Sequence, residues 1–180
     1  KSDWAQAKAD ADLAVFLNPE HPAPWAVRGT ALAGMRQFET AATSLSVALQ
    51  LVKSPREAAL YWNALGRVRY SARQYPEAMK AYNKALSSLR PDGTSSDLPL
   101  RFFAKVENNR GVTLRAMGRF SESMEALDHA AVLDPAGSPA TINVIRGGCA
   151  VELVHIGSLY HDDVMDDATT RRSVKSVNAE

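Results

Sequence analysis

Apolar and small residues recur at every third or fourth position along most of the chain, which is the spacing of helices that bury one face. Short polar segments interrupt this pattern. Prolines stand at or beside the interruptions, where a missing backbone N–H does least harm to a helix: Pro19, Pro55, Pro91 and Pro135. The pattern therefore predicts an all-α chain of consecutive helices.

Three segments of the chain repeat the same order of aromatic, small and aliphatic residues. The clearest holds Trp62, Leu65, Gly66, Tyr75, Ala78, Tyr82, Ala85 and Leu86. The segment before it holds Trp25, Gly29, Phe38, Ala41, Leu45, Ala48 and Leu49. The segment after it holds Gly111, Gly118, Phe120, Ser123, Leu127, Ala130, Leu133, Asp134 and Pro135. A half repeat comes first, with Ala7, Ala11, Ala14, Leu17, Asn18 and Pro19.

This order resembles the tetratricopeptide family, in which a pair of antiparallel helices recurs about every 34 residues. The resemblance covers residues 1–136, as a half repeat (1–21) and three full repeats (22–54, 55–96 and 97–136). It implies a helix-turn-helix solenoid whose signature residues are core, because a single repeat cannot bury its own apolar face. Arg69 and Leu114 depart from the family where an aromatic is usual, and Glu107 replaces the first-helix tryptophan.

Polar residues on the first helix of each full repeat would line a concave groove in such a stack. These are Asn63, Arg67 and Tyr70 in the second full repeat, and Lys105, Asn108, Asn109 and Arg115 in the third. Amides can hold a peptide backbone, and arginine or lysine favours carboxylates. We therefore predict an interaction scaffold that binds a peptide or partner protein of acidic character, without a cofactor. A merely solvated helix face is an equally weighted alternative.

The first full repeat limits which peptide the groove would take. Family members that clamp a C-terminal carboxylate use lysine and asparagine on successive first helices, whereas this repeat offers Ala26, Val27 and Thr30. A generic acidic or extended peptide is therefore expected rather than a carboxylate clamp.

Beyond residue 136 the repeat ends, and residues 137–180 are predicted to hold an extra C-terminal helix and a tail with a DDxxD motif. That helix would end in Asp162, Asp163, Asp166 and Asp167. Anions are disfavoured at a helix C-terminus, and carboxylates close together repel one another. A divalent cation removes both penalties, and Asp162 and Asp166 share a helix face with oxygen ligands that suit Mg²⁺.

The C-terminal segment resembles the first aspartate-rich region of trans-polyprenyl diphosphate synthases, E-L-x-H-x-x-S-L-x-H-D-D-x-x-D followed by paired arginines. The matching residues are Glu152, Leu153, His155, Ser158, Leu159, His161, Asp162, Asp163, Asp166, Arg171 and Arg172. The resemblance implies that Asp162, Asp163 and Asp166 hold Mg²⁺ on an allylic diphosphate. It also implies that Arg171 and Arg172 contact the diphosphate. Ser173 stands where a glycine is usual.

Two further synthase motifs do not occur in the 180 residues: a second aspartate-rich region and an upstream basic motif. Because catalysis needs both metal-bearing walls of the cavity, we expect prenyltransferase activity only if the segment belongs to a complete domain.

Three accounts of the segment remain open. It is a natural fusion to a synthase, an artificial join, or a helix that caps the repeats through Val151, Leu153, Val154, Ile156 and Leu159. A calcium loop is a weaker alternative, because the D-x-[DN]-x-[DN]-G spacing does not occur.

Composition narrows the function classes further. The net charge of +1 gives no electrostatic case for nucleic acid binding. No apolar run approaches the ~18 residues that suggest a membrane span. Cys149, the single cysteine, allows no internal disulfide and is expected in the core, which fits a cytoplasmic location.

Overall fold

The computed structural model describes residues 3–88, 100–135 and 148–156, and the backbone of 170–171 and 174–175. The described helices are α1 (Trp4–Leu17), α2 (Pro22–Gly34), α3 (Phe38–Leu51), α4 (Pro55–Ser71), α5 (Tyr75–Ser87), α6 (Leu100–Ala116) and α7 (Phe120–Leu133). Residues 148–156 are also helical and are called the C-terminal helix below. Strands β1 (Thr170–Arg171) and β2 (Val174–Lys175) form a short antiparallel pair, with Thr170 opposite Lys175 and Arg171 opposite Val174.

Each helix from α1 to α7 packs chiefly on the helices next to it in the chain. Helices α2 and α3, α4 and α5, and α6 and α7 form the three tightest pairs. The prediction of a helical solenoid is therefore confirmed. The β1–β2 pair was not predicted, because the sequence pattern indicated only helices.

Close approach within each pair depends on a glycine of the first helix facing a large residue of the second. The facing residues are Gly29 with Leu45, Gly66 with Tyr82, and Gly111 with Leu127. A Cβ atom at Gly66 would lie 2.4 Å from Cε1 of the Tyr82 ring, closer than van der Waals contact permits. Any side chain at Gly66 would therefore force the two helices apart.

The turn inside each full repeat uses one residue with left-handed backbone. Arg36 (φ 63°), Arg73 (φ 62°) and Gly118 (φ 75°) occupy equivalent places in the three repeats. The next backbone N–H donates to the carbonyl five residues earlier, at 2.9 Å: Gln37 to Leu32, Gln74 to Arg69, and Arg119 to Leu114. This pattern ends the first helix and sends the chain back antiparallel.

Three apolar clusters lie along the stack, and each is shared between consecutive helices. The first centres on Leu32, Leu45 and Leu65. The second centres on Tyr82 and Phe102, and the third lies between α6 and α7. Because each cluster draws on more than one helix, the burial of one helix depends on its neighbours.

Contacts or burial account for each of the three residues that depart from the family pattern. Arg69 donates to Glu39 at 3.1 Å and so joins the first and second full repeats. Leu114 is fully buried. Glu107 is only 4% exposed; its Oε2 accepts from Arg110 Nη1 at 2.6 Å, and its Oε1 lies 3.1 Å from His129 Nδ1. A carboxylate can be buried here because both of its oxygens have polar partners.

Asp12 ties α1 to the first full repeat. Its carboxylate accepts from Lys8 and from Arg28 Nε, and Arg28 also donates to Ser44 Oγ at 2.8 Å. The hydrogen bonds from Lys8 and Arg28 hold the pKa of Asp12 below its ordinary 3.8. Helix α1 therefore has a polar anchor besides its apolar contacts.

Candidate functional site

Four of the seven predicted groove residues line two adjoining cavities between α4 and α6. One cavity, of about 220 Å³, is lined by Arg67, Tyr70, Ser71, Tyr82, Asn109 and Val112. The other, of about 280 Å³, is lined by Tyr70, Val112, Arg115, Ala116, Phe120 and Glu152. Because Tyr70 and Val112 belong to both, the cavities form one continuous depression, which we call the α4–α6 groove.

Asn63 has a different place from the other predicted residues. It is buried, and its Oδ1 accepts a hydrogen bond of 3.0 Å from Asn109 Nδ2. This bond joins α4 to α6 and positions the Asn109 amide at the groove. Asn63 is therefore buried beside the groove and lines neither cavity.

Lys105 and Asn108 do not line either of the two cavities. Lys105 is exposed on α6. The Asn108 Oδ1 atom is buried, and it has no hydrogen-bond partner in the described part of the chain. The predicted site is thus divided, and its compact part consists of Arg67, Tyr70 and Asn109 with Arg115 beside them.

The groove combines two exposed guanidinium groups with an aromatic floor. Arg67 and Arg115 are both exposed, one in each cavity. The Tyr70 ring is held against Tyr75, with centroids 5.6 Å apart and a tilt of 48°. Burial raises the pKa of the Tyr82 phenol, which the Arg67 charge lowers only in part, so the phenol stays neutral at physiological pH. The groove therefore suits a ligand with carboxylates and some apolar surface.

The C-terminal helix meets the stack at the Arg115 end of the groove. Cys149 is fully buried, as predicted, and its Sγ lies 3.4 Å from Ser123 Oγ on α7. Glu152, one turn later, lines the larger cavity. Sequence reasoning assigned Glu152 to the synthase motif only, and no local signal indicated that it would lie beside the groove.

Only part of the C-terminal helix covers the repeats in the way that the capping alternative expects. The contact is made by its first turn, whereas Val151 and Val154 are 69% and 74% exposed. Most of the apolar face expected to cover the repeats therefore points away from them.

The predicted metal and diphosphate residues fall largely outside the described structure. Asp162, Asp163, Asp166 and Arg172 lie outside the described residues, and Arg171 is described only as backbone in β1. Within the described ranges, no group of three or more histidine, cysteine, aspartate or glutamate side chains is placed to hold a metal ion. None of the described helices is long and apolar enough to cross a membrane.

Comparison with known sequences concerns the C-terminal part of the chain. The model of the polyprenyl synthetase family matches residues 106–180, which begins inside α6. Nonaprenyl diphosphate synthase of Mycobacterium tuberculosis is 45% identical over 42 residues, 23% of this chain and 12% of that protein. Mitochondrial solanesyl-diphosphate synthase 1 of Oryza sativa subsp. japonica is 63% identical over 27 residues, 15% of this chain and 6% of that protein. The chain thus matches only about an eighth or less of each synthase.

Comparison with solved structures concerns the repeats. The crystal structure of MamA has a TM-score of 0.64 and 16% identity, over 83% of this chain and 81% of that one. The Cut9 and Hcn1 hetero-tetramer of the APC/C gives a TM-score of 0.69 and 16% identity, over 82% and 26%. YrrB, described as a TPR protein with an unusual peptide-binding site, gives 0.60 and 19%, over 87% and 68%. These similarities show the fold, a tetratricopeptide-type solenoid. Both resemblances that the sequence indicated are thus found, and the synthetase match overlaps the last helix pair of the solenoid.

Proposed function

We propose that the repeats form a protein-interaction scaffold whose α4–α6 groove binds an extended, acidic segment of a partner protein. The observation that carries this proposal is the convergence of Arg67, Tyr70 and Asn109 on one cavity, with Arg115 in the adjoining one. Guanidinium groups pair with carboxylates in a fixed, often bidentate geometry. A partner with two acidic side chains would engage both arginines.

The groove suits an extended peptide because it consists of two joined cavities, of about 220 and 280 Å³. Each cavity fits one or two side chains, and their continuity suits a chain that crosses both. The fold shared with YrrB, which is described as having a peptide-binding site, is consistent with this use. A cytoplasmic location is part of the same proposal.

Fluorescence anisotropy with a fluorescein-labelled decapeptide of alternating glutamate and serine tests the groove. We expect Arg67→Glu to weaken binding at least about tenfold, which corresponds to ~1.4 kcal/mol. Arg56→Glu makes the same charge change on an exposed residue of α4 outside both cavities and should leave binding unchanged. Circular dichroism checks that both variants are folded. Equal weakening by the two variants would show that the groove is not the site. Equal binding of a glutamine–serine peptide would show that the groove does not select acidic side chains.

A second candidate function is favoured by the polyprenyl synthetase match over residues 106–180. In this proposal the C-terminal segment belongs to a Mg²⁺-dependent prenyltransferase. Asp162, Asp163 and Asp166 would hold the ion, and Arg171 and Arg172 would contact an allylic diphosphate. Three closely spaced carboxylates have the donor chemistry that Mg²⁺ prefers. For these 180 residues the proposal is ligand binding, since the second aspartate-rich region does not occur in them.

Calorimetry with farnesyl diphosphate tests this second candidate. Binding should require Mg²⁺, vanish with a chelator, and vanish in Asp162→Ala. Asp10→Ala removes an exposed carboxylate from α1 and serves as the matched control. An absence of binding heat at saturating Mg²⁺ would exclude diphosphate recognition by this chain.

A further inference from the structure

We infer that the C-terminal helix is an intramolecular competitor for the α4–α6 groove, with Glu152 at the place where an acidic side chain of a partner would bind. This inference rests on the proposed function of the groove and adds its regulation. It concerns only residues 148–156 and the helices on which they lie.

The first turn of the C-terminal helix is fixed against α6 and α7. Cys149 is fully buried beside Ser123 of α7. Gly148 lies over the Arg115 guanidinium, because a Cβ at Gly148 would be 3.1 Å from Arg115 Nη2. The C-terminal helix therefore begins beside Arg115, at one end of the α4–α6 groove.

Helical spacing then directs Glu152 toward the groove. Residues four apart lie on the same side of a helix, so Glu152 shares the side on which Gly148 meets Arg115. Accordingly, Glu152 lines the larger cavity together with Tyr70 and Arg115. Glu152 and Arg115 form no direct ion pair among the described contacts, and their opposite charges face the same cavity. A partner carboxylate entering the same cavity would meet the like charge of Glu152.

The contact is small enough to open. Val151 and Val154, on the outer side of the same helix, are 69% and 74% exposed, so little apolar surface holds the helix down. Elements with few buried contacts open at low free-energy cost. If the groove is open in about one molecule in ten, the observed affinity for a peptide is about tenfold weaker than that of the open groove.

Labelling of the cysteine with a thiol reagent tests the docked position without any ligand. Because Cys149 is the single cysteine, its reaction rate reports how often the first turn leaves α7. We expect Glu152→Arg and Arg115→Glu each to speed labelling about threefold or more. The double variant, Arg115→Glu with Glu152→Arg, should react nearly as slowly as the wild type. Glu125→Arg, on the exposed side of α7, should change nothing. Single variants that react at the wild-type rate would overturn the inference.

Binding of the glutamate–serine decapeptide then tests competition. Gly148→Trp places a large ring where even a Cβ would lie 3.1 Å from Arg115 Nη2, so it should displace the helix without changing any charge of the groove. We expect it to raise peptide affinity about tenfold and to expose Cys149 to the thiol reagent. Exposure of Cys149 with unchanged affinity would show that the helix docks but does not compete, which overturns the inference alone. A peptide that binds neither the wild type nor Gly148→Trp would overturn the proposed function itself.

Discussion

The second and third full repeats solve the same packing problem with opposite chemistry. In the second, the Lys84 ammonium lies 4.4 Å from the centroid of the Trp62 ring, which joins α5 to α4. Forty-five residues later, at the equivalent positions, Glu107 on α6 meets His129 on α7 at 3.1 Å. In these two repeats the two positions hold polar or charged partners on facing helices, and the third repeat shows that tryptophan is not required.

Trp62 and Glu107 differ in the neighbouring residues that stabilise them. Trp62 packs its apolar ring into the clusters on either side of α4, and the cation adds to that burial. Glu107 is almost completely buried, so its charge must be compensated, and Arg110 supplies the second partner at 2.6 Å. Replacing an aromatic residue by an acid is thus accommodated by two side chains, one on each helix of the repeat.

The largest loss of stability is expected on replacing Tyr82, whose ring lies against Gly66 in the second full repeat. Tyr82→Ala should lower the free energy of unfolding by about 3–5 kcal/mol, because it empties a fully buried site. Leu127→Ala, its equivalent in the third repeat, should lose somewhat less, since fewer atoms are removed. Guanidinium denaturation measures both.

The same site offers an internal control. Gly66→Ala should destabilise the wild type, because its methyl would meet the Tyr82 ring, but should be tolerated in the Tyr82→Ala background. Equal losses in both backgrounds would show that the ring does not set the distance between the helices.

Loss of the buried Glu107 carboxylate in the third repeat should have an intermediate effect. Glu107→Leu removes the acceptor of both Arg110 and His129 and should cost about 1–2 kcal/mol. Transferring the second-repeat pair, Glu107→Trp with His129→Lys, should restore part of this loss. A double-mutant cycle measures the coupling between the two changes. Strictly additive single effects would indicate that the two positions do not form an interacting pair.

Removing the Lys84 ammonium of the second full repeat should lower the free energy of unfolding by a smaller amount. Lys84→Met keeps the length of the side chain but not its charge, and should cost about 0.5–1 kcal/mol. Lys80→Met, on an exposed part of the same helix, is the matched control. If both lysine variants unfold at the same denaturant concentration, the ring contact contributes nothing measurable.

The smallest loss of stability should appear on acidification, where α1 meets the first full repeat. There the Arg28 guanidinium lies 5.7 Å from the Trp25 ring and also binds Asp12. The pKa of Asp12 is lowered in the folded chain, so its stabilising contribution is complete above about pH 4 and is lost as pH falls through the lowered pKa. Because the Asp12 side chain is 38% exposed, the contribution is modest.

Hydrogen exchange of the α1 amides between pH 4 and pH 2 measures this loss. Asp12→Asn should remove most of the extra opening that acid causes. Identical pH dependence in the wild type and in Asp12→Asn would contradict the role given to this carboxylate.

The helical stack was predictable because its signals are local. The facing glycines and large residues, such as Gly66 and Tyr82, lie within one helix pair and recur in each full repeat. The left-handed turns at Arg36 and Arg73 were not predictable, since arginine rarely adopts that backbone and only Gly118 carries the usual signal.

The arrangement of the candidate site was harder to predict. The hydrogen bond between Asn63 and Asn109 depends on how one repeat stacks on the next, which periodicity does not specify. The position of Glu152 at the groove depends on contacts between residues 26 or more apart in the chain. The family pattern predicts the groove residues as a group, but which of them line a cavity depends on how the helices pack.

The neighbour-to-neighbour packing of α1 to α7 has a consequence for how fast the chain folds. Short sequence separation between contacting residues lowers the entropy lost before contacts form, so helical stacks of this kind fold in microseconds to milliseconds. Any one helix pair can form first and offer a surface on which the next pair assembles. The step between Gly66 and Gly111 is 45 residues, against 37 between Gly29 and Gly66, so joining the second and third full repeats loses slightly more loop entropy.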